Sequence, residues 1–155
     1  MVRARSNLTL RARALRLLAL REHSRGELER KLSRYLAEED SPAELSALLD
    51  ALEAAGWLSD ERFAQLWVAR RAERFGPLRL RQDLAVRGVA EGVSQAATAA
   101  LGASDHERAL ALWQRRFGGE VATDRAERAR QMRFLIQRGF HAAMANRIVH
   151  GQGPR

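Results

Sequence analysis

Two stretches of the chain decide its fold: "RLRQDLAVRGV" at residues 79–89 and "ARQMRFLIQRGF" at residues 129–140. Each is rich in arginine, carries a leucine at the same point (Leu84 and Leu135), and closes on Arg-Gly-apolar. A third leucine, Leu32 in "ERKLSRYL", stands in the same place earlier in the chain, so the three fall at positions 32, 84 and 135. Self-similarity at a period of this size marks a helical array, in which one small unit is used repeatedly and neighbouring units support each other. A chain of 155 residues has room for three such units.

The punctuation between the repeats is that of helices. Ser24 and Glu27, Ser41 and Glu44, Ser104 and Glu107, and Asp124 and Glu127 have the spacing of a capping box, in which side chains satisfy free backbone donors at a helix start. Pro42 follows Ser41 at the first helical position, where the missing N–H costs nothing. Ser59 or Asp60 caps the segment "DERFAQLWVARRAERF", and Gly56, Gly76, Gly88, Gly102, Gly118 and Gly139 each follow a helical run. Reading between these marks predicts helices over 9–22, 25–36, 42–55, 60–74, 77–87, 90–101, 105–116, 124–138 and 141–149.

Apolar residues at helical spacing supply the core faces: Leu28, Leu32 and Leu36; Leu45, Leu48, Leu49 and Leu52; Phe63, Leu66 and Trp67. No alternating β-branched run is present, so the expected fold is all-α, three tandem three-helix repeats forming an elongated, curved array. The expected units are 1–58 with a basic N-terminal segment, 59–103, and 104–155 with a short C-terminal tail. The aromatic residues read as core, with Trp57 packed between the first two units. Gly88 and Gly139 read as left-handed turns after a helix.

Charge is the functional clue. The chain has 27 basic against 19 acidic residues, a net +8, and all basic residues but Lys31 are arginine. Such a balance favours anionic partners. It is also segregated: residues 22–61 hold most of the acids, whereas residues 62–87 carry Arg62, Arg70, Arg71, Arg74, Arg79, Arg81 and Arg87 against Glu73 and Asp83 alone. Arg70, Arg71, Arg74, Arg79 and Arg81 read as one basic corner, extended by Arg87 and, in the third repeat, by Arg130, Arg133 and Arg138. A guanidinium suits such a face because its rigid fork of donors grips two oxygens at once. Against this stands the pairing of Arg79 with Asp83 and of Asp83 with Arg87 along one helix, which absorbs part of the charge.

Other classes of function find little support. There is no cysteine, hence no disulfide and no thiolate metal site, and a reducing, cytoplasmic compartment is expected. The four histidines form no i, i+4 pair, and no phosphate-binding loop, dinucleotide fingerprint or nucleophile elbow is present, so neither enzyme, cofactor nor metal is expected. Arginines interrupt the apolar residues of "MVRARSNLTLRARALRLLALR", so this start is neither a signal peptide nor a membrane span; a transit-like reading yields to one in which it joins the fold.

The order "LREHSRGELERKL", "GWLSDERFA", "RFGPLRLRQDLAVRGV" and "FLIQRGF" resembles the RecX family, small bacterial regulators of the RecA recombinase. The resemblance rests on Arg21-Glu22-His23-Ser24 with Glu27-Leu28 and Lys31-Leu32, on Leu58 with Asp60-Glu61-Arg62-Phe63-Ala64, and on Gly76, Arg79, Leu84 and Arg87-Gly88-Val89. Trp67, Trp113 and "RRFGGEVATDRAERAR" depart from it, and the third repeat is the loosest match. It implies an inhibitor of RecA that acts from the groove of its filament on single-stranded DNA, affecting ATP hydrolysis, strand exchange and the SOS response; with no coiled-coil heptad or dimer seam in the sequence, a monomer is expected. Ser24, Glu27, Asp60, Phe63, Gly76, Gly88 and Gly139 are then structural. The alternative is a helical module that binds single- or double-stranded DNA directly and without sequence preference: the third helices, "EGVSQAATAAL" and "HAAMANRIV", are too rich in alanine to read bases.

Overall fold

The structure is a computed structural model and describes residues 8–36 and 41–154. The first seven residues of the basic N-terminal segment, and the acids Glu38, Glu39 and Asp40, lie outside the described residues. Among the described residues there are nine α-helices and no strand: α1 (Leu10–Leu20), α2 (Arg25–Ser33), α3 (Pro42–Ala54), α4 (Asp60–Arg71), α5 (Pro77–Val86), α6 (Glu91–Ala99), α7 (Asp105–Phe117), α8 (Arg125–Gln137) and α9 (Ala142–Val149). The caps explain the starts. Ser24 and Ser104 form complete capping boxes with Glu27 and Glu107. Asp124 accepts from the backbone of Ala126 and Glu127, but Glu127 turns away to Arg130 and Gln131.

Buried side chains gather in three separate clusters, one per three helices. Leu28, Leu32, Leu45, Leu49, Leu52 and Leu58 fill the first. Phe63, Ala64, Val68, Leu80, Leu84, Val89 and Ala97 fill the second, and Leu112, Trp113, Leu135, Phe140, Ile148 and Val149 belong to the third. Leu32, Leu84 and Leu135 are each fully buried at the middle helix of their cluster, which is why the repeat could be seen at these positions. Helices that pack extensively do so within a cluster. The clusters are therefore three units joined by narrow borders.

Those borders use the repeated phrase. At the second, the backbone N–H of Gly76 donates to Arg138 O at 2.7 Å and that of Leu78 to Gly139 O at 3.0 Å, so the start of α5 caps the end of α8. At the first, Ser24 Oγ donates to Arg87 O at 2.7 Å, so the start of α2 meets the end of α5. Donors at one helix start, backbone N–H groups at the second border and a capping hydroxyl at the first, meet free carbonyls at another helix end, and the partial charges of the two termini attract. The backbones approach so closely that side chains are excluded: a Cβ on Gly26 would stand 2.7 Å from Arg87 O. Gly88 and Gly139 have positive φ, +80° and +97°, as a left-handed turn after a helix requires.

Several expectations need correction. Gly76, read as a helix stop, is the N-cap of α5, and it is glycine because a Cβ would meet Phe140 N at 2.6 Å. Asp60 does not cap its own helix; Ser59 does that, and Asp60 Oδ1 accepts the backbone N–H of Arg25 at 2.7 Å, capping α2 of the preceding unit. Trp57 is 57% exposed rather than packed between units: it follows the left-handed turn at Gly56, whose backbone turns it outward while Leu58 takes the buried place. Leu66 is exposed as well, since Phe63, Ala64 and Val68 complete the buried face of α4 without it.

Candidate partner-binding face

The arginines proposed as one corner separate into two groups, each centred on an aromatic ring. On α4, the guanidinium carbons of Arg71 and Arg87 stand 3.4 Å and 3.8 Å from the centroid of Trp67. Around Phe75, in the turn before α5, lie Arg79 at 5.1 Å, Arg138 at 5.5 Å and Arg74 at 5.9 Å. A cation over a ring face is held by the ring's quadrupole, so each ring fixes arginines that would otherwise repel one another. Repulsion is nonetheless present. Burial, followed by the charges of Arg87 and Arg74, pushes the pKa of Arg71 below its ordinary value.

From Phe75 the stacking continues into the third unit. Arg138 also lies 5.1 Å from Phe134, which meets Phe117 edge-on at 5.3 Å. Arg116 and Arg130 stand over Phe117 at 5.3 Å and 5.2 Å. The result is an alternation of guanidinium groups and rings that crosses the border between the second and third units. Arg70 and Arg133 are exposed outside it, and Arg81 turns back to Pro77 O. Of the proposed residues, Arg71 and Arg87 thus share one ring, Arg74, Arg79 and Arg138 another, and Arg130 ends the series.

Acids bind only part of this charge. Arg79 pairs with Asp83 at 3.2 Å, as the spacing predicts. Arg87 does not take the carboxylate of Asp83; it donates to that residue's backbone carbonyl at 2.8 Å and lies 3.5 Å from Glu27 of the first unit. Arg130 engages both oxygens of Glu127, whose pKa falls to about 2 through that contact and the one from Gln131.

Two structural roles escaped the sequence reading. Arg108 is buried and donates from Nη1 to Ala72 O and Phe75 O, both at 2.8 Å, while Nη2 engages Asp105. It fastens the third unit to the carbonyls that end α4. Arg62 grips both oxygens of Glu22 at 2.7 Å and 3.3 Å, tying the second unit to the first. Spacing along one helix cannot reveal such ties, because each joins residues more than thirty positions apart.

Fold and face together define a tandem array of three-helix units with a cationic, ring-supported surface across a unit border. No group of histidines and acids that could hold a metal is found among the described residues, and no described helix is long and apolar enough to cross a membrane.

Comparison with known proteins gives the family. Residues 59–97 match the second three-helix domain of RecX and residues 104–149 the third. The chain is 48% identical to the regulatory protein RecX of Ralstonia nicotianae over 147 residues, 95% of this chain and 90% of that protein. It is 46% identical to the regulatory protein RecX of Leptothrix cholodnii, over 94% of this chain and 90% of that one. The crystal structure of RecX from Lactobacillus salivarius superposes with a TM-score of 0.76 at 18% identity, covering 92% of this chain and 93% of that one. The chain belongs to the RecX family of regulatory proteins.

Proposed function

We propose that this chain regulates the RecA recombinase, mainly as an inhibitor, by lying in the groove of the RecA filament on single-stranded DNA and slowing ATP hydrolysis and strand exchange. It acts without catalysis or cofactor, as a cytoplasmic monomer. Family membership supports the regulatory role. The observation that carries the mode of action is the arginine–ring alternation spanning the border of the second and third units. Backbone bonds make that border stiff, so the cations keep a fixed spacing, as contact with regularly repeated acidic groups along a filament demands.

The test is single-stranded-DNA-dependent ATP hydrolysis by RecA, titrated with the wild-type chain and with a variant carrying Ala at Arg70, Arg74, Arg79 and Arg133, all exposed. Inhibition below one chain per recombinase subunit, weakened at least tenfold in a variant that melts normally, is the expected result. No change in hydrolysis at any ratio refutes the proposal.

A second reading, direct and largely non-specific DNA binding, draws on the same cations. Base reading is disfavoured by the third helices, whose Ala97, Ala145, Ile148 and Val149 face the cores. Affinity for oligonucleotides falling steeply with salt and indifferent to sequence would identify this mode.

A further inference from the structure

The first border holds a cleft that neither the repeat nor the recombinase reading uses. It has a volume of about 300 Å³ and is lined by Glu27, Arg30, Lys31, Arg34, Val86 and Arg87. The first four lie at i, i+3, i+4 and i+7 on one face of α2 and its cap, while Val86 and Arg87 come from the end of α5 in the next unit. Four cations therefore converge with one carboxylate. That carboxylate is already engaged: Glu27 receives Arg21 at 3.1 Å and the backbone of Ser24 at 3.4 Å, and stands 3.5 Å from Arg87.

Two of the other cations, Arg30 and Lys31, meet neutral groups among the described residues. Arg30 donates to the carbonyls of Gly26 and Val86, both at 3.3 Å. Lys31, the one lysine among 27 basic residues, has its ammonium 2.9 Å from Nε2 of His23. His23 is 1% exposed, and its Nδ1 lies 3.0 Å from Arg21 O. A carbonyl only accepts and an ammonium only donates, so the ring is neutral, with the proton on Nδ1. Burial, the largest cause, holds its pKa below 6.5 and keeps it neutral. Lys31 is thus positioned by an uncharged acceptor that takes one of its three donors. Arg87 Nε is buried and makes no hydrogen bond among the described residues; Glu27 Oε1 stands 3.5 Å from it as an ion-pair partner.

The ordinary reason for cations in a last helical turn is attraction to the helix carbonyl end. It accounts for Arg30 and Lys31 being on α2. Arg87 joins them from the next unit by pairing with Glu27 and stacking on Trp67, but neither reason accounts for a buried histidine that fixes the lysine through an uncharged acceptor. A guanidinium fork beside a compact ammonium is the donor set that takes tetrahedral oxyanions, and the volume lies at the lower end of the range for small ligand clefts. Trp67, the ring nearest this arginine cluster, already carries two guanidinium groups, so no bare ring is offered for a base.

We propose that the cleft between α2 and the end of α5 is a phosphate-binding site, recognising the phosphate of a nucleotide or of a nucleic-acid strand with no preference for the base. Because its walls belong to two units, an occupant pins the first unit to the second.

The test needs no recombinase, so it fails or succeeds apart from the regulatory reading. Inorganic pyrophosphate is titrated into the full chain by calorimetry at low salt, alongside Lys31→Gln/Arg34→Gln and, as a control of equal charge loss, Arg11→Gln/Arg16→Gln on α1. Saturable binding is expected, weakened at least tenfold by the cleft pair and less than twofold by the control. Absence of binding, or equal weakening by both pairs, overturns the site. A short oligothymidylate distinguishes the source: competition with pyrophosphate assigns the cleft to strand phosphates, and pyrophosphate binding without competition assigns it to free phosphates. If the cleft pair fails to fold, Lys31→Arg serves instead: it keeps the charge but loses the histidine-held geometry, and unchanged affinity in it counts against the site.

Discussion

Replacing Gly139 by alanine tests the border between the second and third units. Two costs follow from the geometry. The residue has φ +97°, so any side chain strains the backbone by roughly 1–2 kcal/mol. In addition, its Cβ would stand 2.6 Å from Arg79 N and 3.0 Å from Arg79 Cα, backbone atoms that no rotamer change can move. The units must part, and the bonds from Gly76 N to Arg138 O and from Leu78 N to Gly139 O lengthen or break. At about 1 kcal/mol net for each such bond, the border loses about 2 kcal/mol. The total is about 3–4 kcal/mol, or a fall of about 10 °C in Tm for a chain of this size. Gly56→Ala supplies the control, because Gly56 has φ +78°, a Cβ there would have nothing within 4 Å, and the variant bears the backbone strain alone. Gly76→Ala supplies the converse, a clash with no φ penalty, and is expected to cost about 2 kcal/mol. Urea unfolding of the three variants, with the midpoint and slope both fitted, measures the series. Equal losses for Gly139→Ala and Gly56→Ala would refute the claim that the border depends on backbone contact.

Arg108→Ala removes the donor to Ala72 O and Phe75 O and is expected to cost about 2–4 kcal/mol in urea unfolding, whereas the exposed Arg133→Ala stays near zero. Asp60→Ala should lose about 1 kcal/mol, the value of a cap, while Asp60→Asn keeps an acceptor for Arg25 N and matches or exceeds wild type at pH 7. The reason is that burial raises the Asp60 pKa, so its ionised form is disfavoured in the fold; that deficit is absent below the ordinary value of 3.8 and grows as pH rises through the folded one. His23 behaves in the opposite sense. Its folded pKa is lowered, first by burial and then by the charges of Arg21 and Lys31, with Arg21 O and Glu27 opposing, so its contribution is complete above 6.5 and lost as pH falls through the folded value. Wild-type stability should therefore drop between pH 7.5 and 5 more steeply than that of His23→Gln, measured by urea midpoints across that range.

Residues whose role is local were legible in the chain. Ser24, Ser41, Ser59, Ser104 and Asp124 cap helices because the needed donors lie two or three positions on, and the buried leucines recur at helical spacing. Nine helices could therefore be placed, and the long ones were overextended only where the chain turns: α4 stops at Arg71, and the Arg74 and Phe75 amides bond back to its carbonyl before Pro77 starts α5. The candidate face was legible in composition but not in grouping. Arg71 and Arg87 share Trp67 only because α4 and α5 fold against each other, and Arg138 reaches Phe75 only across a unit border. Gly76 looked like a stop because its reason, the backbone of Phe140, is far along the chain in the next unit.

The repeated Arg-Gly now has a physical reason in each of its two residues. Glycine gives the left-handed turn and the close approach, which lets carbonyls at the end of one middle helix meet donors at the start of the middle helix in the unit before it. The arginine ahead of it lends its carbonyl to that meeting, Arg87 to Ser24 and Arg138 to Gly76. Its guanidinium then reaches back over the border, Arg87 to Glu27 and Arg138 to Phe75. In the first repeat the corresponding positions are Tyr35 and Leu36, so the end of α2 has neither the turn-forming glycine nor the arginine. Direction is therefore built into the array: each unit receives the one after it, and the first unit lacks the Arg-Gly by which it would itself be received.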